Sequence, residues 1–322
     1  MRTMVTGGAG FIGSGLVDRL LAEGHVVDVV DDLSSGSLTN LADARAAGGR
    51  ALTIHQLDIR LPETADLIVR RRPAVIFHLA AQIDVRESVA DPLHDAGVNV
   101  LGSLRVLEGA RAAGTDRVVF AASGGTLYGE PDPVDLPARE SHPHRPVSPY
   151  GVSKKVVIDY LFAYRELHAL EFSALALANV YGPRQDPHGE AGVVSIFADA
   201  LVSGSPVTVY GDGEQTRDYV YVDDVVDAFA RAATRGGGLV MNVGTGKETS
   251  VNELLHTMAA AAGVDAQVHR APARPGELQR SALDPTRAAI HLGWRPWTTL
   301  EEGSAAVLEA ANRRAGTLRE RR

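Results

Sequence analysis

Thr6-Gly7-Gly8-Ala9-Gly10-Phe11-Ile12-Gly13 follows a short apolar run and leads into an amphipathic segment that extends to Leu21. A strand, a glycine turn and a helix in that order form the start of a nucleotide-binding βαβ unit. In such a unit Gly7 permits the tight turn, Gly10 lets the backbone approach a pyrophosphate, and Gly13 lets the helix pack on the strand. The N–H groups at the helix start then face the phosphates. The stretch therefore predicts a dinucleotide-binding domain.

A second strand with an acidic end follows at the distance that this motif requires. His25 to Val30 is the strand, and Asp31 and Asp32 come directly after it. A carboxylate at this strand end bonds the 2′-hydroxyl of an adenosine ribose and would repel a 2′-phosphate. A glycine-rich turn alone is weak evidence. With the acid in place, the sequence predicts NAD as the cofactor in preference to NADP.

The composition excludes several other classes of protein. The chain has 322 residues and is 45% hydrophobic, so it can bury one large core or two modest ones. A net charge of −8 disfavours binding to nucleic acid or to an anionic membrane. The chain has no cysteine, so disulfides and thiolate metal sites are excluded, and we predict no metal site. The first strand starts almost at Met1, and no apolar run approaches the roughly 20 residues of a membrane span. We therefore expect a cytoplasmic protein without a signal peptide.

Strand and helix patterns alternate, which is typical of a parallel sheet covered by helices on both faces. We predict an α/β fold, a Rossmann-type doubly wound parallel sheet with a smaller mixed α/β C-terminal substrate lobe. The NAD-binding domain is placed at residues 1–178, with returning segments near 219–245. The substrate lobe is placed at residues 179–322, where shorter elements and longer loops begin.

Two elements of the first half give more specific expectations. The buried strand from Ala74 to Leu79 contains His78, which we predict to be a core residue, and Ala80 and Ala81 after it leave room for a ligand near the backbone. Asp95 to Ala113 is predicted to form one long helix. Its apolar stripe is predicted at Val98, Leu101, Leu104 and Leu107.

Tyr150 and Lys154 place a phenol and an ammonium group four residues apart on one face of a predicted helix. A phenol with a pKa of about 10 is a poor base at neutral pH. A nearby ammonium and a positively charged nicotinamide ring would favour the phenolate. The alternative is an ordinary surface pair, but the chain has only three lysines, so the match is informative. The pair predicts a general base.

These residues resemble the extended short-chain dehydrogenase/reductase superfamily of NAD-dependent epimerases and dehydratases. The second half of the chain is similar to the substrate half of the UDP-glucose 4-epimerase family through four short motifs. They are Asn179-Val-Tyr-Gly-Pro183, Tyr210-Gly-Asp-Gly213, Thr216-Arg-Asp-Tyr219 and Arg274-Pro-Gly-Glu277. The resemblance covers essentially the whole chain, and the motifs occur in the order of the family.

The resemblance implies an isomerase of galactose metabolism that epimerises C4 of UDP-glucose or UDP-galactose through a 4-keto sugar. Tyr150 would take the proton from the sugar O4 while NAD takes the C4 hydride, which later returns to the opposite face. Lys154 would hold the nicotinamide ribose and tune Tyr150. The resemblance also implies a homodimer formed through the Asp95–Ala113 and Tyr150–His168 helices.

The resemblance further implies which residues line the site. The expected cofactor contacts, besides Tyr150 and Lys154, are Gly7, Gly10, Phe11, Ile12, Gly13, Asp31, Asp32, Leu33, Ser35, Gly36, Asp58, Ile59, Leu79, Ala80, Ala81 and Asn99. The expected substrate contacts, besides Tyr150, are Gln82, Ser88, Thr126, Asn179, Gly192, Val193, Thr208, Tyr210, Arg217, Arg274, Glu277 and Ser281. Of these, Arg217 and Arg274 match residues that clamp the UDP diphosphate, for which a guanidinium fork is suited.

The catalytic hydroxyl of the family has no single match here. Counting back from Tyr128-Gly129, its usual position falls on Gly124, so Ser123 and Thr126 both remain candidates, with Thr126 slightly favoured. Sugar 4,6-dehydratases carry an Asp-Glu pair before Tyr-Gly, and UDP-glucuronate decarboxylases carry a Glu there. Gly125 and Thr126 stand at these positions, which favours epimerisation.

Three alternatives remain open. The enzyme could epimerise UDP-N-acetylglucosamine or UDP-glucuronate at C4 instead, and Ser281 falls where a small residue admits an N-acetyl group. From another class, the chain could be a non-catalytic NAD-sensing regulator on the same fold. Such regulators usually lose the Tyr/Lys pair, which this chain keeps.

Overall fold

A computed structural model describes residues 1–187, 192–274 and 278–320, with side chains described to residue 316. Strands alternate with helices through the first half of these residues, and shorter strands follow in the second half. The strands are β1 Arg2–Thr6, β2 Val26–Asp31, β3 Leu52–Gln56, β4 Val75–His78, β5 Arg117–Ser123, β6 Glu171–Leu177, β7 Asn179–Tyr181, β8 Val207–Tyr210, β9 Thr216–Arg217, β10 Tyr219–Tyr221, β11 Leu239–Val243, β12 Thr249–Ser250 and β13 Val268–Ala271.

The helices connect these strands and cover the large sheet. They are α1 Phe11–Ala22, α2 Ala42–Gly48, α3 Pro62–Arg71, α4 Val85–Ala90, α5 Pro92–Ala96, α6 Ser103–Ala113, α7 Gly124–Leu127, α8 Pro149–His168, α9 Val193–Ser203, α10 Val222–Ala232, α11 Val251–Ala262, α12 Thr286–Leu292 and α13 Leu300–Glu320. A π-helical segment, Gly97–Gly102, joins α5 to α6, and short 3₁₀ turns occupy Leu38–Leu41, Gly49–Ala51 and Pro133–Asp135.

The large sheet has seven parallel strands in the order β11-β6-β5-β4-β1-β2-β3. Its central strands are apolar on both faces because helices cover both. Val5 packs in a core with α1 and α10 on one face, whereas the neighbouring Met4 packs with α3, α6 and α8 on the other. The predicted Rossmann-type doubly wound sheet is confirmed.

Segments from the second half of the chain also join this body. After the short β10, α10 packs against α1, and β11 extends the large sheet beside β6. Leu283 and Trp294 lie fully in the cores on the two faces of the sheet. A smaller core forms between α9, α11 and α13 with Phe197, Leu254 and Leu308, and the two-stranded pair β8–β13 lies next to it.

The helix predicted from Asp95 to Ala113 forms, and Leu107 of its predicted apolar stripe is buried, but the prediction for Leu101 is wrong. The π-helical segment has a wider turn than an α-helix, so the faces before and after it fall out of the expected register. Leu101 is 63% exposed, whereas Asn99 and Ser103 are buried beneath the helix. Asn99 and Ser103 of this helix therefore face the interior of the protein, together with the apolar Val106 and Leu107.

The described helices include none that is both long and apolar enough to cross a membrane.

Candidate active site

The carboxyl ends of β1, β4 and β5 meet at the middle of one edge of the sheet. Gly7, at the end of β1, adopts a left-handed φ of 71°, and a Cβ on it would lie 2.6 Å from the backbone nitrogen of Ala80. A Cβ on Gly13 would run into the Gly7 carbonyl. The glycine loop is therefore closed by backbone contacts that admit no side chain at these two positions.

The start of α1 is free to bind an anion. Gly10 is its N-cap, and no side chain among the described residues caps it. Uncapped N–H groups at a helix start attract negative charge such as phosphate. Phe11 and Ile12, which follow, are only half-buried and remain accessible from this side.

Asp31 lies at the end of β2, facing the glycine loop. Its carboxylate accepts hydrogen bonds from the backbone N–H of Ala9 and of Leu33, each at 2.9 Å. Burial raises the pKa of this carboxyl group, although the two backbone N–H groups oppose the rise. Gly36 passes so close that a Cβ on it would lie 2.7 Å from Asp31 Oδ1. One lone pair on each oxygen remains for a ribose diol.

The other predicted cofactor residues surround the same edge. Asp32 and Ser35 are exposed beyond β2. Asp58 follows β3 and pairs with Arg60 at 2.6 Å, which lowers its pKa, and the buried Ile59 packs beneath the π-helical segment. Leu79, Ala80 and Ala81 are half-buried after β4. NAD fits this edge, which combines the glycine loop, the uncapped start of α1 and the Asp31 carboxylate.

His78 is a core residue, as the sequence predicts. Its ring shares hydrogen bonds with the hydroxyl groups of Thr6, at 2.7 Å, and Ser103, at 2.8 Å. Burial, helped by the charge of Lys154, lowers the pKa of His78 to about 3, so the ring is neutral.

Tyr150 and Lys154 lie one turn apart on the buried face of α8. The helix starts where Ser148 accepts a hydrogen bond from the N–H of Gly151 at 3.2 Å, with Pro149 in the first turn. Gly151 lets this turn approach Thr126, since a Cβ there would lie 3.0 Å from the Thr126 carbonyl oxygen. Tyr150 thereby comes next to the end of β5.

The phenol of Tyr150 is a weaker acid than the sequence indicates. Burial, together with the negative charge of Asp95, raises its pKa to about 12, while a hydrogen bond with Ser123 opposes the rise. In the protein without cofactor, the Lys154 ammonium does not lower the pKa of Tyr150 enough to offset the effect of burial. The phenolate therefore requires additional positive charge.

Lys154 is buried with its charge held close to the strand. Its Nζ donates to the Ala121 carbonyl oxygen at 3.0 Å and lies 4.9 Å from the ring centre of Phe120 and 5.6 Å from that of Tyr150. Burial lowers its pKa to about 8, and the charge of Asp95 opposes this fall. Lys154 is thus still an ammonium ion at pH 7.

The two candidate hydroxyl groups have different partners. Ser123 shares a hydrogen bond with Tyr150, whereas Thr126 donates to the Ser123 carbonyl oxygen at 3.4 Å. A Cβ on Gly124 would collide with Leu283, so this chain has no room there for a side chain. Gly124, which stands at the usual family position of the hydroxyl, is thus packed against Leu283.

Asn99 and Gln82 form a fixed polar pair beside the end of β4. The Asn99 amide accepts from the Gln82 N–H at 3.0 Å and donates to its carbonyl oxygen at 2.9 Å. The Gln82 amide nitrogen donates to the Asp84 carbonyl oxygen, and Oε1 is buried with no partner among the described residues. That oxygen can accept a ligand hydroxyl. Ser88 is buried and donates to the Val85 carbonyl oxygen at 2.6 Å instead.

The predicted substrate residues lie on several separate segments. Asn179 is exposed at the start of β7, near Gly125. The guanidinium of Arg274 is stacked over the Tyr210 ring at 3.9 Å from its centre, and Arg217 donates to the Thr216 carbonyl oxygen. The other half-buried residues of this set are Gly192, Val193, Thr208 and Ser281. Glu277 lies outside the described residues.

Two buried side chains next to the pair were not predicted. Asp95 accepts from Ser153 Oγ at 2.6 Å and from Asn99 Nδ2 at 2.9 Å. Ser153 directly precedes Lys154, which is the one signal that the sequence offers for it. Among the residues that the structure describes, no cluster of His, Asp or Glu could hold a metal ion.

Comparison with known proteins gives consistent matches along the chain. The family profile described as GDP-mannose 4,6 dehydratase matches residues 4–307. UDP-glucose 4-epimerase of Mycolicibacterium smegmatis is 52% identical over 310 residues, which cover 96% of this chain and 98% of that protein. UDP-glucose 4-epimerase of Thermotoga maritima, solved with UDP-glucose, has a TM-score of 0.92 and 42% identity, over 98% of this chain and 100% of that one. The UDP-glucose 4-epimerase of Thermus thermophilus, in complex with NAD, has a TM-score of 0.89 and 43% identity, over 97% of this chain and 99% of that one.

The profile is named for a dehydratase, whereas these relatives are named as epimerases. The dehydratase chemistry needs acidic residues that are Gly125 and Thr126 in this chain, while the pair Tyr150 and Lys154 is present. The cofactor edge fits NAD on its own geometry, and the enzyme keeps a base in place beside it. The chain belongs to the NAD-dependent extended short-chain dehydrogenase/reductase family, and within it to the UDP-glucose 4-epimerases, which are isomerases.

Proposed function

We propose that this enzyme interconverts UDP-glucose and UDP-galactose by inverting C4 through a 4-keto intermediate. The observation that supports it most is the set formed by the half-buried Ser123 and the buried Tyr150 and Lys154 at the cofactor edge, with the uncharged residues Gly125 and Thr126 beside it. A base that removes the O4 proton is sufficient for inversion at C4, whereas elimination of water also needs an acid. The relatives with the highest identities quoted above carry the same name.

Each residue of the set has a distinct role. Bound NAD supplies a hydride acceptor and donor and, when oxidised, a positive charge at the nicotinamide. Tyr150 takes the O4 proton as the C4–H bond breaks, the sugar becomes a 4-ketone, and Tyr150 returns the proton when the hydride is added to the other face. The Ser123 hydroxyl bonds O4 and shares a hydrogen bond with the phenol. Lys154 holds its ammonium 5.6 Å from the ring centre of Tyr150, and it would donate to the hydroxyls of the nicotinamide ribose when NAD is bound.

The charge balance supports this division of roles. The pKa of Tyr150 is raised to about 12 by burial, so the phenol keeps its proton in the protein alone. An added positive charge beside it lowers that pKa, which places the active base in the complex with oxidised cofactor only. The enzyme is thereby inactive toward sugar until the hydride acceptor is bound.

The substrate side supports a nucleotide sugar with free hydroxyl groups. Arg274 is exposed and is held over Tyr210, where a guanidinium can bind a diphosphate. Gln82 Oε1 is an acceptor without a partner among the described side chains, so it favours a hydroxyl over a carboxylate. This favours UDP-hexoses over UDP-uronates.

We propose a homodimer formed through the outer faces of the α5–α6 helix pair and α8. Leu93 is 84% exposed and Leu101 is 63% exposed, and on α8 Val152 and Phe162 are exposed as well. Apolar side chains grouped on two adjacent helices are typical of an interface. Sedimentation equilibrium is expected to give twice the chain mass, with Leu101→Arg shifting it toward the monomer. A monomeric wild type would contradict the interface.

The function is tested by incubating the purified enzyme with UDP-glucose, UDP-N-acetylglucosamine and UDP-glucuronate in separate tubes, each followed by ¹H NMR of the anomeric proton. We expect UDP-galactose to appear from UDP-glucose and an equilibrium to be reached from either side. Tyr150→Phe is the control and should give none. If UDP-glucuronate alone is converted, the proposed substrate is wrong, and if none is converted with NAD shown to be bound, the regulator alternative is favoured.

A second substrate, UDP-N-acetylglucosamine, is supported by one observation. Ser281 is small and half-buried, and it immediately precedes Ala282 and Leu283, which are buried behind the site. A small side chain there leaves room for an acetamido group.

A further inference from the structure

Asp95 lies completely inside the protein, with no exposed surface. Its two oxygens accept from different elements: Oδ2 from Ser153 on α8 at 2.6 Å, and Oδ1 from Asn99 in the π-helical segment at 2.9 Å. A buried carboxylate charge is costly unless it is hydrogen-bonded and lies near an opposite charge. The balancing charge has to be close.

The network reaches both parts of the reaction site. Ser153 lies on α8, three residues after Tyr150 and directly before Lys154. Asn99, held by Asp95, fixes both backbone groups of Gln82 after β4. The carboxylate thus bonds α8 directly through Ser153 and reaches the chain after β4 through Asn99.

The charged groups near Asp95 indicate which cation can balance its negative charge. Of the groups packed around Asp95, Tyr150 and Lys154 lie on α8, and His78 on β4 is neutral. On α4, Arg86 and Glu87 are exposed, and His94 on the same helix as Asp95 pairs with Glu87 at 3.7 Å. Lys154 is therefore the buried cation that can balance Asp95.

We propose that Asp95 is a positioning residue of this enzyme: it holds α8 through Ser153 and the chain after β4 through Asn99, and it is the buried counter-charge of Lys154. The role rests on the proposed function insofar as Tyr150 and Lys154 perform the reaction. In support, the negative charge of Asp95 raises the pKa values of both Tyr150 and Lys154. Removal of that charge should move both values down.

The charge is tested directly by titrating Lys154 in the holoenzyme. The chain has three lysines, so ¹³Cε-labelled lysine gives three resonances, which Lys155→Arg and Lys247→Arg assign. In Asp95→Asn we expect the pKa of Lys154 to fall by about one unit, the usual effect of losing a nearby opposite charge. Asp159→Asn, which removes an exposed carboxylate paired with Lys155 on the same helix, is the matched control and should leave it unchanged. An unchanged Lys154 in Asp95→Asn overturns the counter-charge role.

The positioning is tested in the reaction. Ser153→Ala keeps the charge and removes one hydrogen bond, so kcat should fall roughly tenfold without a shift of its pH profile. Asp95→Asn should lower kcat and also shift both limbs of the profile to lower pH. Wild-type kcat in Ser153→Ala, or a loss in Asp95→Asn with the wild-type profile, overturns the proposal. If Asp95→Asn does not fold, Asp95→Ser, which is smaller and leaves room for water, replaces it in both measurements. Failure of the wild type on every UDP-sugar would instead reject the proposed function, and the lysine titration would still decide the role of Asp95.

Discussion

The cofactor edge and the substrate side of this site are built in different ways. At the cofactor edge, Gly7 and Gly13 are enclosed by backbone, and the position of each is set by contacts that a single methyl group would break. On the substrate side, Arg274 is exposed and Ser281 is half-buried, and Arg274 is held by the ring of Tyr210, a side chain from a segment distant in sequence. The cofactor edge therefore admits no side chain at these two glycines, while the substrate side can be altered one side chain at a time.

Tyr150 lies where these two regions meet, and its loss should have the largest effect on turnover. Tyr150→Phe keeps the ring and the packing of α8 but removes the base, so kcat should fall by about 10²–10⁴-fold. NAD should remain bound, because the glycine loop is unchanged. Absorbance of the extracted cofactor and steady-state kinetics measure the two quantities separately.

If Tyr150→Phe keeps more than a tenth of wild-type kcat, Tyr150 is not the base. A variant that loses NAD as well would show that the phenol also supports the cofactor edge, and the separation between the two regions would then be wrong.

Gly13→Ala tests how closed the cofactor edge is. The added methyl group meets the Gly7 carbonyl, and overpacking of this kind costs about 1–3 kcal/mol. We expect the free energy of unfolding to fall by that amount and the affinity for NAD to fall at least tenfold, about 1.4 kcal/mol. Gly316→Ala is the control, because Gly316 also lies within an α-helix without a positive φ and a Cβ there meets nothing. Equal NAD affinity in Gly13→Ala and the wild type would contradict the enclosed loop.

The sequence predicted the cofactor edge better than the rest because its signals are local. The glycine spacing, the acid after β2 and the apolar strands determine the sheet and its edge without reference to distant residues. The identity of the catalytic hydroxyl was not predictable in that way. Ser123 and Thr126 differ in their partners, and the partner of Ser123 is Tyr150, which comes from a distant helix.

The π-helical segment is a second feature that the local sequence pattern did not predict correctly. The apolar spacing of Val98 and Leu101 matched an α-helix, yet Leu101 is exposed and the polar residues Asn99 and Ser103 are buried beside it. Burial of polar groups there depends on partners from other elements, namely Gln82, His78 and Asp95. No periodicity in a single helix contains that information.

Ser123→Ala and Thr126→Ala compare the two hydroxyl groups at the boundary. Loss of the Ser123 hydroxyl removes the partner of Tyr150, and removal of one such donor costs about 10²-fold in kcat. Thr126→Ala should change kcat by less than about threefold, since its hydroxyl only bonds a backbone carbonyl and net neutral bonds are weak. The pH profile of kcat should also shift to higher pH in Ser123→Ala, because the hydrogen bond that lowers the pKa of Tyr150 is lost. The reverse order of the two variants would make Thr126 the catalytic hydroxyl.

Ser281→Tyr should have the smallest effect on the common substrate and is the sharpest test of an adaptable substrate side. The backbone next to it is pinned, since the Leu283 N–H donates to Asp218 at 3.1 Å and the Ala282 carbonyl oxygen accepts from Ala138 at 2.8 Å. A tyrosine side chain at this position therefore cannot be moved aside by the chain, and it fills the space that an acetamido group needs. Overlap in a packed pocket costs about 1–3 kcal/mol, so kcat/KM for UDP-N-acetylglucosamine should fall about tenfold or more while UDP-glucose changes little. Ser281→Ala, which stays small, should retain both activities. Equal loss of both substrates in Ser281→Tyr would mean that position 281 supports the lobe as a whole, and the substrate side would then be as closed to change as the cofactor edge.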